Sequence, residues 1–324
     1  MIFRSVATDE LPLFGGPTDY WPDLSAQVSA YWADGSSRPE WCFVAEDDDG
    51  LVARLAFVVT LDPDAPVVSR HPDADLLAVT LAALPVELTV AALAFRPDPA
   101  GIRAATDLLS EAVRRLNVPA GTVIEARGNP EVHANIAGRR QVFEGAGLTL
   151  FQEKEGDSWV SAPVAPHGLR LATLTEVGPT AFAATMSAAG ADTLDRNDAY
   201  YYQRCGGPGW ARVMLEYAEP DDESGWCLAS DPTGQLVGYV AVSRFDESGT
   251  ATITHVGVLP GQRGHGYGRR LVIAATDLAQ RAGYTGMLDT VDVVNAPMMQ
   301  AFLAAGYRDD VRPWHVWHYR TSIV

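Results

Sequence analysis

The segment VGVLPGQRGHGYGRRLV, residues 256–272, takes an apolar run to Pro260 and then resumes as a helical pattern with two arginines at its start. Glycine lets a backbone turn where a Cβ would clash, or approach a bulky group closely. The first N–H groups of a helix have no partner inside it and carry the positive end of the helix dipole. The segment therefore predicts a helix start that binds an anion such as a diphosphate. Its glycines are Gly264, Gly266 and Gly268.

Spacing excludes two familiar phosphate-binding loops. A dinucleotide-binding loop needs G-x-G-x-x-G, but Arg269 stands where the third glycine would be. A P-loop needs a lysine after its last glycine, and none follows here. What remains is a strand, then R-x-x-G-x-G from Arg263 to Gly268, then a helix.

Composition predicts a globular protein long enough for two domains, with 324 residues of which 47% are hydrophobic and 20% are charged. A formal net charge of −17 argues against nucleic acid as a partner, and it favours either a cationic substrate or simply solubility. No segment predicts a membrane span, and the N-terminus lacks the pattern of a signal peptide. Three cysteines are too few for a disulfide framework and are not spaced as metal ligands, so we expect a cytoplasmic protein without a metal site.

Three segments of the N-terminal half recur in the same order in the C-terminal half. The pairs are WCFVAEDDDGLVARLAF (41–57) with WCLASDPTGQLVGYVAV (226–242), ALAFRPDPAGIRAATDLLSEAVRRL (92–116) with HVGVLPGQRGHGYGRRLVIAATDLAQRA (255–282), and RRQVFEGAGLTLF (139–151) with MMQAFLAAGYRDDV, which contains Gly306. They predict a hairpin, a strand–loop–helix unit, and a helix stopped by glycine before a strand. The chain is therefore predicted to hold two copies of one α/β unit, residues 1–160 and 161–324.

The N-terminal copy differs where the glycine loop should be. It has RPDPAGIRAA (96–105), in which Gly101 is the sole glycine and two prolines remove backbone donors. It also has an additional stretch at 60–81, which we expect to be a surface loop or excursion. This copy is predicted to be a structural partner whose own site has decayed.

The order of strand, R-x-x-G-x-G and helix resembles the coenzyme A loop of the GNAT acyltransferase superfamily. The later run LDTVDVVNAPMMQAFLAAGYR (288–308) looks like the family's fifth strand, an Asn-initiated helix and a closing Gly-aromatic pair. The resemblance covers about residues 168–324 strongly and 1–160 weakly, and tandem GNAT proteins such as mycothiol synthase have this layout. It implies an α/β fold (an α+β mixed sheet) of two tandem GNAT-like domains, each a mostly antiparallel twisted sheet flanked by helices.

The resemblance implies acetyl-CoA as co-substrate, bound by the C-terminal domain. The strand that carries Val256 and Val258 would splay from its neighbour and pair with the pantetheine arm. Asn295 would contact that arm, cap the following helix, or do both. The residues expected to contact the cofactor are Val256, Val258, Arg263, Gly264, His265, Gly266, Tyr267, Gly268, Arg269, Asn295 and Phe302.

In this family an amine attacks the thioester directly, so a carbonyl donor, a base and an acid are needed. The resemblance implies the N–H of Val258 as the carbonyl donor, but Phe302 stands where many members have a tyrosine as acid. The strand TATITHVGV (250–258) has no carboxylate, and simple alternation places His255 on the face opposite its threonines. A structural histidine, with water accepting the proton, is the alternative. The candidates on this strand are Thr252, Thr254 and His255.

The segment GADTLDRNDAYYYQRCGGPGW (190–210) has aspartates and tyrosines that suit a cationic, partly apolar amine, or it is an amphipathic helix with a solvated acidic face. The substrate candidates are Asp192, Asp195 and Tyr201. The leading hypothesis is an N-acetyltransferase of a small amine, as a pseudo-dimeric monomer or a homodimer. The alternatives are an acyl-CoA-binding or sensory protein without turnover, and an acyltransferase that uses another acyl donor or a hydroxyl acceptor.

Overall fold

A computed structural model describes residues 1–15, 24–62, 74–116, 118–128, 133, 135–160, 162, 164–216, 224–245 and 249–320. The strands are β1 (Ile2–Ser5), β2 (Cys42–Asp47), β3 (Gly50–Leu61), β4 (Glu87–Phe95), β5 (Val123–Gly128), β6 (Thr149–Val160), β7 (Arg170–Thr173), β8 (Trp226–Ser230), β9 (Leu236–Arg244), β10 (Thr250–Val258), β11 (Gly286–Asp292) and β12 (Arg308–Arg320). The helices are α1 (Ser25–Asp34), α2 (Ala74–Leu81), α3 (Pro99–Arg115), α4 (Ile136–Gly145), α5 (Leu174–Val177), α6 (Pro179–Gly190), α7 (Arg196–Glu216), α8 (Tyr267–Arg281) and α9 (Ala296–Ala305). Among the helices in these ranges, none combines the length and the hydropathy needed to cross a lipid bilayer.

Unit 1 comprises Met1–Pro63, Pro85–Glu153 and Trp314–Val324. Its strands follow the order β1-β2-β3-β4-β5-β12, and β4 and β5 are parallel whereas the other neighbours are antiparallel. The apolar side chains of α3 and α4 pack on one face of this sheet. Val28 of α1 lies in a smaller core on β2 and β3.

Unit 2 comprises Asp64–Leu84 and Lys154–Pro313. Its strands follow the order β7-β8-β9-β10-β11-β6, and β10 and β11 are the parallel pair. α8 buries Leu271, Ala275 and Ala279, which recur every four residues as one helical face requires. α8 and α9 cover one face of the sheet, and α6 and α7 pack on the other.

The two units repeat the same five-strand order, so the expected fold of two GNAT-like sheets is confirmed. Each unit takes a strand segment from beyond the predicted boundary. Lys154–Val160 of β6 pair with β11, and His315–Arg320 of β12 pair with β5. The predicted domain boundary between residues 160 and 161 describes the sequence repeat and stays a prediction. Each compact unit contains segments from both halves of the sequence.

The additional stretch at 60–81 contains more than a surface loop. Residues 63–73 lie outside the described residues, but α2 follows them and belongs to unit 2. Leu77 and Thr80 are buried there, and the methyl group of Thr80 approaches α7 at Gly209. A segment of the N-terminal half thus supports a helix of the C-terminal unit.

Candidate active site

The loop between β10 and α8 forms one wall of a cavity of about 540 Å³ in unit 2. The other walls come from the end of β10, from the exposed face of α9 and from residues that follow α6. All of the predicted cofactor residues except His265 and Phe302 line this cavity. The structure therefore brings most of the sequence-predicted cofactor residues together.

The glycine loop leaves the first amides of α8 open. Gly264 and Gly266 have φ angles of 79° and 78°, which residues with a Cβ rarely adopt. A Cβ built on either glycine would meet no atom within 4 Å, so both face open space. In the described part of the chain, no side chain caps the helix that begins at Tyr267. The loop therefore fits a diphosphate that accepts hydrogen bonds from main-chain N–H groups.

The arginines near the loop have different tasks. Arg263 donates from Nη2 to two main-chain carbonyls at the end of α6, at 2.9 and 2.8 Å, and so ties the loop to that helix. Arg270 donates to two carbonyls that precede β7, at 2.8 and 2.6 Å. Arg269 is exposed at the cavity and, among the described residues, has no ion pair or hydrogen bond from its side chain. Arg269 is therefore the arginine available to a bound anion.

β10 and β11 separate soon after they start. They pair only at Thr250 with Gly286 and at Ala251 with Met287 within the described residues, although β10 continues to Val258. The cavity lies against the far end of β10, where this edge has no strand beside it. The splay implied by the resemblance is present, and an extended group could add to this edge as a further strand.

Residues 193–307 match the sequence profile of the acetyltransferase (GNAT) family. The matched range includes the glycine loop, both splayed strands and the cavity face of α9. Over this range the chain is similar to the GNAT acetyltransferases.

One curated relative is similar in sequence, and solved structures are similar in fold. A streptothricin acetyltransferase from Streptomyces lavendulae is 36% identical over 87 residues, which are 27% of this chain and 46% of that protein. The chain thus spans about half the length of the curated relative it matches. A GCN5-related N-acetyltransferase from Sphaerobacter thermophilus has a TM-score of 0.60 at 16% identity, covering 99% of this chain and 96% of that one. A glucosamine N-acetyltransferase region of a fungal multi-domain β-N-acetylglucosaminidase has a TM-score of 0.58 at 15% identity, covering 98% and 38% of the two chains.

Within the matched range, a β-bulge at Thr254 changes the face on which His255 lies. The register with β9 shifts between Ile253 and His255. Ile253 and Val256 both pack into the core beneath α8, although simple alternation would place them on opposite faces. The ring of His255 instead meets Trp210 of α7 edge-on, with 5.9 Å between centroids. The expectation drawn from simple alternation is therefore wrong, because the bulge adds one residue to the strand.

The predicted acid–base residues of β10 are poorly suited to that role. Burial lowers the pKa of His255 to about 4, against the opposing charge of Asp195, so this ring is neutral at pH 7 and holds a proton weakly. Thr252 donates to Asp289 at 3.2 Å. The hydroxyl of Thr254 is buried and has no partner among the described residues.

Asp289 bridges β10 and β11 where they separate. Its Oδ1 accepts hydrogen bonds from the N–H of Ile253 at 2.6 Å and from the hydroxyl of Thr252 at 3.2 Å. Its partner across the neighbouring strand β6 is Asp157, and both aspartates are buried. Burial raises the pKa of Asp289 to about 7, while its hydrogen bonds act in the opposite direction. Asp289 thus takes the place of a strand partner for Ile253 at the start of the splay.

The predicted substrate residues separate into one at the cavity and two away from it. Asp192 lines the cavity and has a φ of 56°, in the left-handed region. Asp195 caps α7, since its Oδ1 accepts from the N–H groups of Asn197 and Asp198 at 2.9 and 3.1 Å. The ring of Tyr201 packs against Tyr200 with 5.2 Å between centroids. Neither Asp195 nor Tyr201 reaches the cavity wall.

Of the other predicted cofactor residues, Asn295 lies at the cavity, whereas His265 and Phe302 do not. Asn295 lines the cavity, and its Oδ1 accepts from the N–H of Met298 at 3.4 Å as the cap of α9. His265 lies outside the cavity wall, with Nδ1 3.3 Å from the carbonyl oxygen of Gln262. Phe302 is buried against Tyr307, with 4.9 Å between ring centroids. Phe302 was expected to contact the cofactor, but its side chain lies on the core side of α9.

Two further residues complete a charged cluster beside His255: Asp198, one of the aspartates of 190–210 that suit a cationic amine, and Lys154, which no sequence pattern singles out. Lys154 of β6 places its Nζ 3.7 Å from Asp195 Oδ2. Asp198, in the first turn of α7, has a pKa raised to about 7 by burial and by Asp195. Lys154 comes from the N-terminal half, so no local pattern could connect it with α7. In the described ranges, no group of His, Cys, Asp and Glu side chains is arranged to hold a metal ion.

Proposed function

We propose that this protein is an acetyl-CoA-dependent N-acetyltransferase whose C-terminal domain acetylates a small cationic amine. The observation that carries the proposal is the splay of β10 from β11 beside the uncapped start of α8. This arrangement offers main-chain donors to a diphosphate at one end and a free strand edge to an extended arm at the other.

Each part of the cavity has a task in this proposal. The amides of the glycine loop and the Arg269 side chain hold the diphosphate, and the edge from Val256 to Val258 pairs with the pantetheine arm. The N–H of Val258 donates to the thioester carbonyl, where negative charge develops during attack. The amine nitrogen forms the new bond to carbon, the carbon–sulfur bond breaks, and the thiolate takes up a proton. Holding both reactants in one geometry supplies much of the rate.

A cationic acceptor is supported by charge and by one relative. The chain has a formal net charge of −17, which concentrates cations near its surface. Asp192 adds an acidic residue to the lining of the cavity. The name of the streptothricin acetyltransferase supports a small-molecule acceptor rather than a macromolecule.

The helix start of the N-terminal unit is closed by its own side chain. Asp98 caps α3, and its carboxylate accepts from the N–H of Gly101 at 2.8 Å. A carboxylate therefore stands where α8 presents open amides. Gly101 has no room for a Cβ, because one would lie 2.1 Å from the carbonyl oxygen of Arg96. This arrangement supports a C-terminal location for the diphosphate.

The strand edge of the N-terminal unit is also closed. β4 and β5 pair only from Glu87 to Thr89 on β4, so they splay as their counterparts do. The buried Arg139 of α4 donates to the carbonyl of Leu93 at 2.7 Å, at the edge where the splay leaves β4 without β5. Leu93 aligns with Val256 in the repeat, and Arg139 aligns with the cavity residue Met298. We propose that Arg139 fills the place that the pantetheine arm takes in the other unit.

A thiol-release assay tests the proposed function. The purified full-length chain is mixed with acetyl-CoA and a panel of amines that includes amino sugars, amino acids and polyamines, with matching alcohols as controls. We expect that amines stimulate release of the CoA thiol and that the matching alcohols do not. Tight acetyl-CoA binding without release across the panel would favour the binding or sensory alternative, which the core position of Phe302 and the neutral His255 make worth testing.

A further inference from the structure

A tight turn follows α6 and forms part of the cavity wall. We call residues 190–193 the α6–α7 turn. The N–H of Thr193 donates to the carbonyl of Gly190 at 3.1 Å, which closes the turn. Its two central residues are Ala191, with a φ of −58° and a ψ of 128°, and Asp192, with a φ of 56°. This backbone matches a type II turn, in which the second central residue is ordinarily glycine.

Asp192 therefore lies where the backbone favours glycine. It is the one non-glycine residue with a positive φ in the part of the chain that the structure describes. A side chain costs free energy in this region, although less for Asn and Asp than for other residues. Backbone strain of this kind is typical of functional positions, so we looked for a task for the carboxylate.

The Asp192 carboxylate is available to a molecule in the cavity. Asp192 is exposed, and it is the one acidic residue among the described residues that line the cavity. Within the described ranges its carboxylate takes part in no ion pair or hydrogen bond. The carboxylate therefore does not stabilise the turn, and it is free to bind a cation.

Arg263 anchors the turn on the N-terminal side of Asp192. Its Nη2 donates to the carbonyls of Ala189 and Ala191 at 2.9 and 2.8 Å. The Ala191 carbonyl belongs to the peptide group that leads into Asp192. The Nε of Arg263 also donates to the carbonyl of Val258 at 3.3 Å. The turn is thereby tied to the glycine loop and to the end of β10.

A buried ion pair anchors the chain on the C-terminal side of the turn. The fully buried carboxylate of Asp292, at the end of β11, accepts from the N–H of Arg196 at 3.0 Å and from its guanidinium at 2.7 to 3.2 Å. Its Oδ1 also accepts from the N–H of Val294 at 3.2 Å, just before α9. Between the turn and this pair, the Thr193 hydroxyl accepts from the N–H of Asp195 at 3.3 Å. The turn is therefore held on both sides, and a ligand would bind without having to order it.

The charge of Asp192 suits a nitrogen that does not react. A carboxylate beside the reacting nitrogen would favour its protonated form, which has no lone pair with which to attack the thioester. A second ammonium group on the acceptor can stay protonated throughout the reaction. It can also form a charge-assisted hydrogen bond with the carboxylate.

We propose that Asp192 is a specificity-determining residue that binds a second, non-reacting ammonium group of the acceptor, and that Arg196 and Asp292 are positioning residues that hold its turn. This inference rests on the proposed function and narrows the acceptor to amines with two basic nitrogens. One nitrogen attacks the thioester, and the other stays paired with Asp192.

The central experiment compares Asp192→Asn with the wild type on α,ω-diamines and on the monoamines of the same chain lengths, by thiol release. Asn also tolerates the left-handed region, so this variant keeps the turn and removes the charge. We expect the wild type to prefer the diamine in kcat/KM by about fivefold or more, as an ion pair at an exposed carboxylate allows. In Asp192→Asn the preference should disappear through a higher KM for the diamine, while calorimetry shows unchanged acetyl-CoA affinity.

Asp107→Asn is the matched control for this comparison. Asp107 is exposed on α3 and does not line the cavity, so its variant makes the same change in net charge. It should keep the wild-type preference for the diamine. Loss of the preference in the control as well would mean that overall charge attracts the diamine, and it would overturn the role of Asp192.

Asp192→Gly separates a task in the fold from a task in binding. Glycine is the residue that this turn favours, so the melting temperature should not fall, whereas the diamine preference should again disappear. A melting temperature several degrees below that of the wild type would show that the carboxylate supports the fold, contrary to the proposal.

Two variants of Arg196 test the positioning role. Arg196→Met removes the guanidinium contacts with Asp292, so the diamine preference should shrink. The same change made in Asp192→Asn should have no further effect on the ratio of diamine to monoamine kcat/KM, because Arg196 acts through the turn. Arg196→Lys keeps the charge without the paired hydrogen bonds and should give a ratio between those of Arg196→Met and the wild type. Arg196→Lys carries the comparison if Arg196→Met fails to fold.

The outcomes separate the proposals. A wild-type chain that releases no thiol with any amine overturns the proposed function, and this inference with it. An active wild type that does not prefer diamines, or whose preference persists in Asp192→Asn, overturns the role of Asp192 alone. Folded Arg196 variants with the wild-type ratio overturn the positioning role alone.

Discussion

At the scale of single residues, protein surroundings determine which side chains can exchange protons at neutral pH. His255 is the residue whose ordinary pKa is suited to this, yet burial takes its pKa to about 4. Asp198 and Asp289 are ordinary acids in sequence, yet burial brings the pKa of each to about 7. The ordinary pKa of a residue type therefore does not tell which side chains of this fold are ionised at neutral pH.

The glycine loop makes a prediction at this scale. Gly266→Val places a β-branched residue at a φ of 78°, which costs about 1–2 kcal/mol and tilts the first amides of α8. We expect acetyl-CoA affinity, measured by calorimetry, to fall by about 100-fold or more because those amides bind the diphosphate. Gly261→Ala, where φ is not positive and a Cβ meets nothing within 4 Å, is the control. Unchanged affinity in Gly266→Val would remove the loop from the site.

Asp289 makes a prediction about stability and pH. The unfolded carboxyl has a pKa near 3.9, whereas in the folded chain it is about 7. Between these values the folded chain keeps a proton that the unfolded chain loses, so the contribution of Asp289 to stability declines as pH rises. Asn at this position keeps an acceptor for the N–H of Ile253 and does not ionise.

We therefore expect the wild type to lose more unfolding free energy than Asp289→Asn between about pH 5 and pH 8. The difference should be on the order of 1–3 kcal/mol, since one pKa unit corresponds to about 1.4 kcal/mol. Urea unfolding at both pH values measures it, with Asp107→Asn on the exposed face of α3 as the control. Equal pH dependence in the wild type and Asp289→Asn would mean that the carboxyl is already ionised.

At the scale of elements, the two units use one strand–loop–helix design in two ways. α3 starts with a capping carboxylate from Asp98, whereas α8 follows Gly266 without a side-chain cap in the described residues. A side chain that accepts hydrogen bonds from the first N–H groups of a helix stabilises the fold. First N–H groups without such a cap are free to bind an anionic ligand. Local sequence decides between these uses, through one aspartate or through alternating glycines.

The capped helices make a matched prediction. Asp98→Ala and Asn295→Ala each remove a helix cap, so each should cost about 1 kcal/mol in urea unfolding. Only Asn295→Ala should also weaken acetyl-CoA binding, because Asn295 lines the cavity. Calorimetry should return one equivalent of acetyl-CoA per chain for Asp98→Ala. A second equivalent in that variant would show that the N-terminal unit can bind the cofactor after all.

At the scale of the whole molecule, each compact unit is assembled from both halves of the sequence. Unit 2 includes Asp64–Leu84 and begins its main part at Lys154, while unit 1 includes residues from Trp314 onward. The boundary between the two repeats therefore does not coincide with the boundaries of the compact units.

Division of the chain at residue 160 tests this organisation. The fragment 161–324 lacks Lys154–Val160, which pair with β11, and it lacks α2, which packs on α7. We expect this fragment alone to show no cooperative thermal transition and no acetyl-CoA binding, and co-expression with 1–160 to restore both. The intact chain purified in parallel is the control. A separate 161–324 that folds and binds with full affinity would contradict this prediction.

The sequence by itself determined the repeat, the glycine loop before a helix and the resemblance to the GNAT family. The repeat and the loop depend on local signals, namely glycine spacing, apolar periodicity and helix stops. Nine of the residues it predicted for the cofactor do line one cavity. Only the tertiary structure decided which side chains could act on protons and which helix face reached the cavity. The bulge at Thr254, the core position of Phe302 and the pairing of Lys154 with Asp195 all depend on contacts between different elements of the fold. Burial and nearby charge set a pKa, and neither is written in a local pattern.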